Sequence, residues 1–209
     1  MSNGSSEAVV DALSLGSIVP VAHDSSGIVT VNYLLTHPSD VESVVMLNSA
    51  FAELDTVLWP ELVTLFAIPS LRALALAMAA SPEQFGWLLT WQQQQFMNAM
   101  PEALKSRMAT ITGPLIADNF MVQPGSGAAF AQTAARFMEA QERNAARIAD
   151  LKAIDVPVKL IWGEHDPYLT VALAEHRLSQ LKRGSLTIVP AGHWLQIDEP
   201  ELVAAAILS

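Results

Sequence analysis

The sequence predicts a three-layer α/β fold, in which helices cover both faces of a parallel sheet and a helical cap is inserted between two strands. Short segments rich in Ile and Val alternate with helical patterns near both ends of the chain. Between them, Ala, Leu, Met and Gln dominate at helical spacing. A strand-helix series interrupted by one helical block is typical of a parallel sheet with a lid. We therefore expect a core of residues 1–50 and 154–209 and a cap of residues 51–153.

Element boundaries follow from apolar runs and from turn-forming residues. The first helix should stop at Gly16, because glycine tolerates the positive φ of a helix C-cap. Buried strands of a parallel sheet should be short, apolar and bounded by turns. We expect strands at residues 17–22, 41–47, 156–162 and 185–189, and helices at residues 7–15, 27–36, 170–182 and 199–208.

Composition excludes several classes of function. The 209 residues are 51% hydrophobic, enough for one domain with a large core. The net charge of -10 makes nucleic acid and anionic membranes unsuitable partners. The absence of cysteine rules out disulfides and thiolate metal sites, and without a ligand-spaced His cluster or a phosphate loop we expect neither metal nor cofactor. No signal peptide or spanning run is found, so we expect a cytoplasmic protein.

A turn of small residues around a polar centre follows the first expected strand. It leads at once into a helix and reads Ala22-His23-Asp24-Ser25-Ser26-Gly27. Such a sharp turn needs small neighbours, because its central residue is strained and projects above the sheet. With Asp24 at the centre, Ala22 and Ser26 take the small positions, whereas with Ser25 at the centre bulky His23 would take one. Asp24 is the preferred nucleophile, and the structural alternative is a helix N-cap.

Two more polar loops follow later strands. They read Trp162-Gly163-Glu164-His165-Asp166-Pro167 and Ala191-Gly192-His193-Trp194. Ligands on parallel sheets bind beyond the carboxyl ends of the strands, so these loops should meet the Asp24 turn at one edge. Asp166 could orient His193, although a turn-forming Asp-Pro pair and a hydrogen-bonded loop histidine are the structural alternatives.

Together these segments resemble the α/β-hydrolase superfamily, and specifically its branch with an aspartate nucleophile, which includes haloalkane and haloacetate dehalogenases and epoxide hydrolases. The resemblance covers nearly the whole chain and keeps the order nucleophile, acid, histidine. It implies that Asp24 is the nucleophile, Asp166 the triad acid and His193 the catalytic histidine. The backbone N–H of Ser25 would then belong to the oxyanion hole.

A carboxylate nucleophile favours a particular reaction. Asp24, ionised at neutral pH, could attack a saturated carbon bearing a leaving group and form an alkyl-enzyme ester. His193, oriented by Asp166, would activate the water that hydrolyses this ester. Attack on an acyl carbon would give a mixed anhydride instead. An esterase that uses Ser25 remains the alternative, and it would lose activity in Ser25→Ala but not in Asp24→Asn.

The cap should enclose a pocket for a small apolar substrate. Its tryptophans, Trp59, Trp87 and Trp91, are candidates for substrate contact, although the i, i+4 spacing of the last two suits the cap core better. Dehalogenases usually place a halide-binding tryptophan or arginine where this chain has Ser25. Epoxide hydrolases usually carry lid tyrosines, whereas Tyr33 and Tyr168 both lie outside the insertion.

The strands that normally precede the nucleophile turn have no counterpart in this sequence. One oxyanion donor would be missing with them, at a cost of about 3 kcal/mol. The first strand would become a sheet edge, where Pro20 is tolerated because it has no N–H to donate. We therefore expect weak catalysis or none, with a homodimer or a missing N-terminal segment completing the sheet. The alternative function is that of a catalytically impaired or non-catalytic relative that binds a ligand or serves as a partner subunit.

Overall fold

Four parallel strands form one sheet in a computed structural model of the protein, in the order β1-β2-β3-β4. The structure describes residues 4–52, 57–121 and 125–209. The strands are β1 (Val21–Asp24), β2 (Val44–Ser49), β3 (Val158–Gly163) and β4 (Gly184–Val189). The expected parallel-sheet α/β fold is confirmed.

The α-helices divide between the sheet and the insertion. Those next to the strands are α1 (Gly4–Ala12), α2 (Ser26–Thr36), α10 (Val171–Leu178), α11 (Leu195–Asp198) and α12 (Pro200–Leu208). Those between β2 and β3 are α3 (Glu61–Ala67), α4 (Arg72–Ala79), α5 (Pro82–Met97), α6 (Glu102–Arg107), α7 (Gly113–Met121), α8 (Ser126–Ala145) and α9 (Ile148–Ala153). A π-helical turn, Met108–Thr112, joins α6 to α7. No single helix among these described elements is long and apolar enough to cross a membrane. One pair of helices, Glu61–Ala67 and Pro69–Ala79, bent at 85°, has the length and composition of a membrane span, and only these two properties point to one.

Side chains of alternate residues in β2 point to opposite faces of the sheet, which builds two cores. Val44 and Met46 pack into the larger cluster with residues of α2 and α10. Val45 and Leu47 pack into a second cluster with Val203 of α12. All six residues of β2 are buried, and its first four, Val44–Leu47, are apolar because this part of the strand is covered on both faces. This arrangement gives three layers, with the sheet in the middle.

The first two strands lie further along the chain than the sequence predicts. Residues 17–22 were expected for the first, but only an isolated bridge of Ile18 with Val41 precedes Pro20, and the continuous ladder starts at Val21. Because Pro20 has no N–H to donate, the continuous pairing begins only after it. The strand then runs on through polar His23 to the turn. Likewise, β2 occupies 44–49 instead of 41–47.

The end of the first helix also differs from the expectation. α1 ends at Ala12, and the residue with positive φ is Ser14 at 48°, not Gly16. The apolar pattern up to Leu15 suggested a longer helix. Its continuation is instead a turn, in which the Leu15 N–H donates to the Val10 carbonyl at 3.0 Å.

Candidate active site

Asp24 lies at the junction of β1 and α2 with a left-handed backbone, at φ 53°. This conformation costs most L-residues about 1–2 kcal/mol, and aspartate is among the few that tolerate it. The turn is tight, because a Cβ on Gly27 would lie 3.0 Å from both the Ala50 carbonyl oxygen and the Ser49 Cβ. The Asp24 side chain is exposed and lines a cavity under the cap. This is the geometry expected of a nucleophile turn.

Two hydrogen bonds between the Ser26 hydroxyl and the His23 backbone stabilise the turn. Ser26 Oγ donates to the His23 carbonyl at 2.6 Å and accepts from the His23 N–H at 2.8 Å. Ser25 has right-handed helical backbone angles, φ -65° and ψ -17°, and caps α2 without a side-chain hydrogen bond to the helix. The strained position of the turn therefore belongs to Asp24 and not to Ser25.

His193 and Asp166 form a buried hydrogen-bonded pair beside Asp24. His193 Nδ1 lies 2.7 Å from Asp166 Oδ2, and the other carboxylate oxygen accepts the N–H groups of Tyr168 at 2.9 Å and Leu169 at 3.0 Å. A carboxylate can only accept, so Nδ1 carries the proton and Nε2 is left as the basic nitrogen. Burial would raise the pKa of Asp166, but the charge and hydrogen bond of His193 and the two backbone N–H donors lower it. The carboxylate therefore stays ionised and fixes the tautomer of the imidazole.

Asn48 is a site residue that sequence reasoning missed. Its Nδ2 donates to Asp166 Oδ2 at 2.7 Å, and its Oδ1 accepts the Gly163 N–H at 2.7 Å. The pairing of β1 with β2 slips at this point, and Asn48 adopts a φ of 33°. Such a bulge re-aims a side chain near a functional site. A polar residue directly after the apolar run of β2 was the available signal, since the other two site loops also follow strands.

His23, to which the sequence assigned no function, contacts the loop that carries His193. Its Nε2 lies 2.8 Å from the His193 carbonyl oxygen, and the two rings are 4.8 Å apart. Burial and the neighbouring His193 lower the pKa of His23 to about 4. His23 is therefore neutral at neutral pH, and its Nε2–H donates to the loop that presents His193.

Gly163 allows the loop that carries Asp166, here the acid loop, and the loop that carries His193, here the histidine loop, to approach each other. A Cβ there would lie 2.2 Å from the Gly192 carbonyl oxygen and 2.7 Å from that of Ala191. Because backbone atoms have no room to yield, we expect Gly163→Ala to lower the free energy of unfolding by about 1–3 kcal/mol. Displacement of His193 should also slow turnover at least about tenfold.

Chemical denaturation and steady-state kinetics would measure both effects. The matched control is Gly86→Ala in α5, where a Cβ meets nothing within 4 Å and the helix should gain about 0.5–1 kcal/mol. If Gly163→Ala were as stable and as active as the Gly86 control, the two loops would not be packed as described.

A cavity of about 310 Å³ opens above Asp24, Ser25 and His193. Its walls are mostly apolar and aromatic, and include Trp59, Leu62, Leu89, Phe96, Phe120, Phe130, Phe137, Leu169 and Trp194. Such size and lining suit a small organic ligand. The structure places Trp59 in this wall, with its ring 4.9 Å from that of Phe137.

The structure does not bring Trp87 and Trp91 to the cavity, so their assignment as substrate-contact residues is corrected. The α5 residues that line it are Leu89, Gln92, Gln93 and Phe96. Trp87 is 61% exposed, which also excludes it from the cap core. The i, i+4 spacing places both tryptophans on one helix face, but it does not show which face turns inward.

Tyr168 lines the cavity although it lies outside the insertion. It follows Asp166 by two residues, and the acid loop carries it beneath the cap, where its hydroxyl donates to Glu61 of α3 at 2.6 Å. The absence of tyrosine from the cap sequence therefore does not deprive the cavity of a phenol. Among the residues that the structure describes, no group of three or more His, Asp or Glu side chains could hold a metal ion.

The pH dependence of the site follows from the surroundings of His193. Burial would lower the pKa of His193, but the carboxylates of Asp166, Asp24 and Asp198 raise it above its ordinary value. A base must be neutral, so activity that depends on His193 should rise with pH and reach half its maximum above about pH 6.5. A pH–rate profile of turnover tests this, and a rate independent of pH between about 5 and 8 would contradict it.

Comparison with known proteins agrees with this geometry. The profile of the Alpha/beta hydrolase family matches residues 5–206. The chain belongs to that family. The superfamily inferred from the motifs is thus confirmed, and membership of the alpha/beta hydrolase family supports a hydrolase.

Individual relatives of this alpha/beta hydrolase resemble it over different spans. Epoxide hydrolase 1 of Caenorhabditis elegans is 43% identical over 56 residues, which is 26% of this chain but only 14% of that protein. A hydrolase from Pseudomonas aeruginosa PA01 has a TM-score of 0.71 at 19% identity, covering 99% of this chain and 69% of its own. The enol-lactonase from Burkholderia xenovorans LB400 has a TM-score of 0.68 at 17% identity, covering 99% and 70%. At these identities the two structures support the fold alone.

Proposed function

We propose that this alpha/beta hydrolase uses Asp24 as a carboxylate nucleophile against a saturated carbon that bears a leaving group. The observation that carries the proposal is the left-handed backbone of Asp24, at φ 53°, at a strand-helix turn that lines the same cavity as His193. The 2.7 Å bond of His193 to Asp166 supports a base prepared for a second step. Triad chemistry of this kind is identified by geometry and roles.

The proposed reaction has two steps, formation of an alkyl-enzyme ester and its hydrolysis. In the first, an Asp24 carboxylate oxygen bonds to the substrate carbon, and the leaving group departs with the electron pair of its bond. In the second, His193 Nε2 takes a proton from water, and the hydroxide attacks the Asp24 carbonyl carbon. The alkyl oxygen then leaves as an alcohol and takes the proton from the imidazolium. The Ser25 N–H would stabilise the oxyanion formed in this second step.

Carbon-halide compounds and epoxides are the substrate classes that fit this chemistry. The local similarity to Epoxide hydrolase 1 of C. elegans favours epoxides. Tyr168 lines the cavity, but its hydroxyl already donates to Glu61, so it does not replace the lid tyrosines that epoxide hydrolases usually carry. The apolar walls suit small apolar molecules. We further propose that the protein acts in the cytoplasm and that its reaction needs no cofactor.

Covalent trapping tests the proposal. In His193→Ala the first step needs no base and should proceed, whereas the second should stall. Incubation with styrene oxide should add the mass of one epoxide, and incubation with 1-bromohexane should add one hexyl group because bromide leaves. A chymotryptic digest should locate either adduct on Asp24. Asp24→Ala in the same background should stay unlabelled. An unmodified His193→Ala protein, with substrate turnover established for the unaltered chain, would overturn the assignment.

A second candidate function is ligand binding without turnover, in a sheet completed by another copy of the chain. The observation that favours it is that β1 lies at an edge of the described sheet, with Val19 43% and Val21 50% exposed. Analytical ultracentrifugation combined with activity assays separates the candidates. A dimer that binds apolar ligands but forms no covalent adduct would support the second one.

A further inference from the structure

Gln92 and Tyr168 line the cavity, and both are hydrogen-bonded to Glu61, which is exposed to solvent outside the cavity lining. We call these three residues the polar corner. The Tyr168 hydroxyl donates to Glu61 Oε2 at 2.6 Å. Gln92 Nε2 donates to the Tyr168 oxygen at 2.8 Å and to Glu61 Oε2 at 3.1 Å, while Gln92 Oε1 accepts the Leu62 N–H at 2.8 Å. Gln92 and Tyr168 are buried and line the cavity. The corner thus joins α3 and α5 of the cap to the acid loop.

Every hydrogen that these side chains carry already has a partner. A phenol has one proton, which Tyr168 gives to Glu61, and Gln92 directs its amide protons to Glu61 and Tyr168. A phenol oxygen has two lone pairs, and Gln92 occupies one of them. The capacity left to the cavity is therefore an acceptor on Tyr168, one hydrogen bond away from a carboxylate.

The ionisation states support the same conclusion. Burial would raise the pKa of Glu61, but the hydrogen bond from Tyr168, a backbone bond and Gln92 lower it, so Glu61 is charged. Burial and the bond to Glu61 raise the pKa of Tyr168, so the phenol keeps its proton. The corner is negative, and it accepts hydrogen bonds but has none left to donate.

The polar corner lies one aromatic ring away from the catalytic pair. The Phe96 ring is 4.8 Å from the Tyr168 ring and 5.0 Å from the His193 ring, measured between centroids. A molecule whose reacting carbon reaches Asp24 can therefore span the width of Phe96 and place its far end at Tyr168.

We propose that the polar corner binds a hydrogen-bond donor, a hydroxyl or an ammonium group, at the end of the substrate remote from its reacting carbon. The substrate class is then an electrophile with an apolar middle and a terminal alcohol or amine, and carboxylates are disfavoured. This rests on the proposed function for the reacting end of the substrate. Recognition of the far end is independent of the covalent step and can be measured without it.

Equilibrium binding of unreactive ligands tests the inference in the Asp24→Asn protein, which forms no ester and offers no carboxylate at the turn to attract an amine. The probes are 2-phenylethanol, 2-phenylethylamine, propylbenzene and phenylacetate, titrated by isothermal calorimetry. Because their hydrophobicities differ, the informative quantity is the change in each affinity caused by a further substitution.

Tyr168→Phe removes the acceptor. It should weaken binding of the alcohol and the amine about fivefold and leave propylbenzene within twofold. Glu61→Gln keeps the hydrogen-bonding shape but removes the charge. It should weaken the amine about threefold, leave the alcohol nearly unchanged and improve phenylacetate, the modest size reflecting the exposure of Glu61 to solvent. Thr133→Val, on another wall of the cavity, is the matched control and should alter none of these ratios.

Equal changes for all four ligands in Tyr168→Phe and Glu61→Gln would overturn the inference, and so would no change at all. The corner would then only hold the cap to the core, and the two substituted proteins would have a lowered Tm. If Tyr168→Phe fails to fold, the amine-specific effect of Glu61→Gln decides alone. Since no ester forms in this background, failure here leaves the Asp24 mechanism standing, and failure of covalent trapping leaves the binding result standing.

Discussion

Asp24→Ala should lower turnover by roughly 10⁵-fold or more, because it removes the only atom that bonds to the substrate in the first step. Neither His193 nor Asp166 can replace it, since they are hydrogen-bonded to each other in a buried pair. The effect should fall on kcat, while the affinity for unreactive ligands should stay close to that of the unaltered protein. Steady-state kinetics and ligand titration measure the two quantities.

Ser25→Ala is the matched control for this substitution. It removes a hydroxyl from the neighbouring position of the same turn but keeps the backbone N–H, so turnover should change less than about tenfold. The reverse pattern, with an inactive Ser25→Ala and an active Asp24→Ala, would identify Ser25 as the nucleophile and make the protein an esterase.

Asp166→Asn should slow ester hydrolysis by about 10⁴-fold while leaving ester formation intact. The N–H groups of Tyr168 and Leu169 both point at one oxygen of residue 166 and cannot change. The other oxygen faces the Asn48 amide and an imidazole that can change tautomer, so the asparagine should present its carbonyl to the two N–H groups. Its amide NH₂ then faces His193 Nδ1. An NH₂ group donates, so Nδ1 must give up its proton and Nε2 must take it. The imidazole would be held in the tautomer that cannot accept a proton from water.

Rapid-quench mass spectrometry would measure the two steps of this variant separately. A burst of one equivalent of alkyl-enzyme followed by very slow decay is the expected result. The control is Asp198→Asn, a carboxylate that accepts the Gly192 N–H at 2.9 Å but does not contact the imidazole, and it should retain both steps. An Asp166→Asn protein that lacks the burst would show that Asp166 serves the first step or the fold.

The sequence predicted the parallel sheet and the meeting of three loops, because carboxyl ends of parallel strands share one edge and the loops at Asp24, Asp166 and His193 each follow a strand. It could not predict Asn48, since the bulge that aims it depends on the register between two strands. Nor could it assemble the polar corner, whose members lie in α3, α5 and the acid loop. The inward face of α5 was likewise undetermined, because spacing fixes which residues share a face and packing decides where that face points.

If Asp24 is the nucleophile, one of its carboxylate oxygens becomes part of the product. A single turnover in H₂¹⁸O, with enzyme in excess over an epoxide or alkyl halide that the protein turns over, tests it most directly. We expect the product of that first turnover to contain ¹⁶O, and the Asp24 peptide to gain 2 mass units because the water oxygen enters its carboxylate. A first-turnover product labelled with ¹⁸O, together with an unlabelled Asp24, would contradict the mechanism.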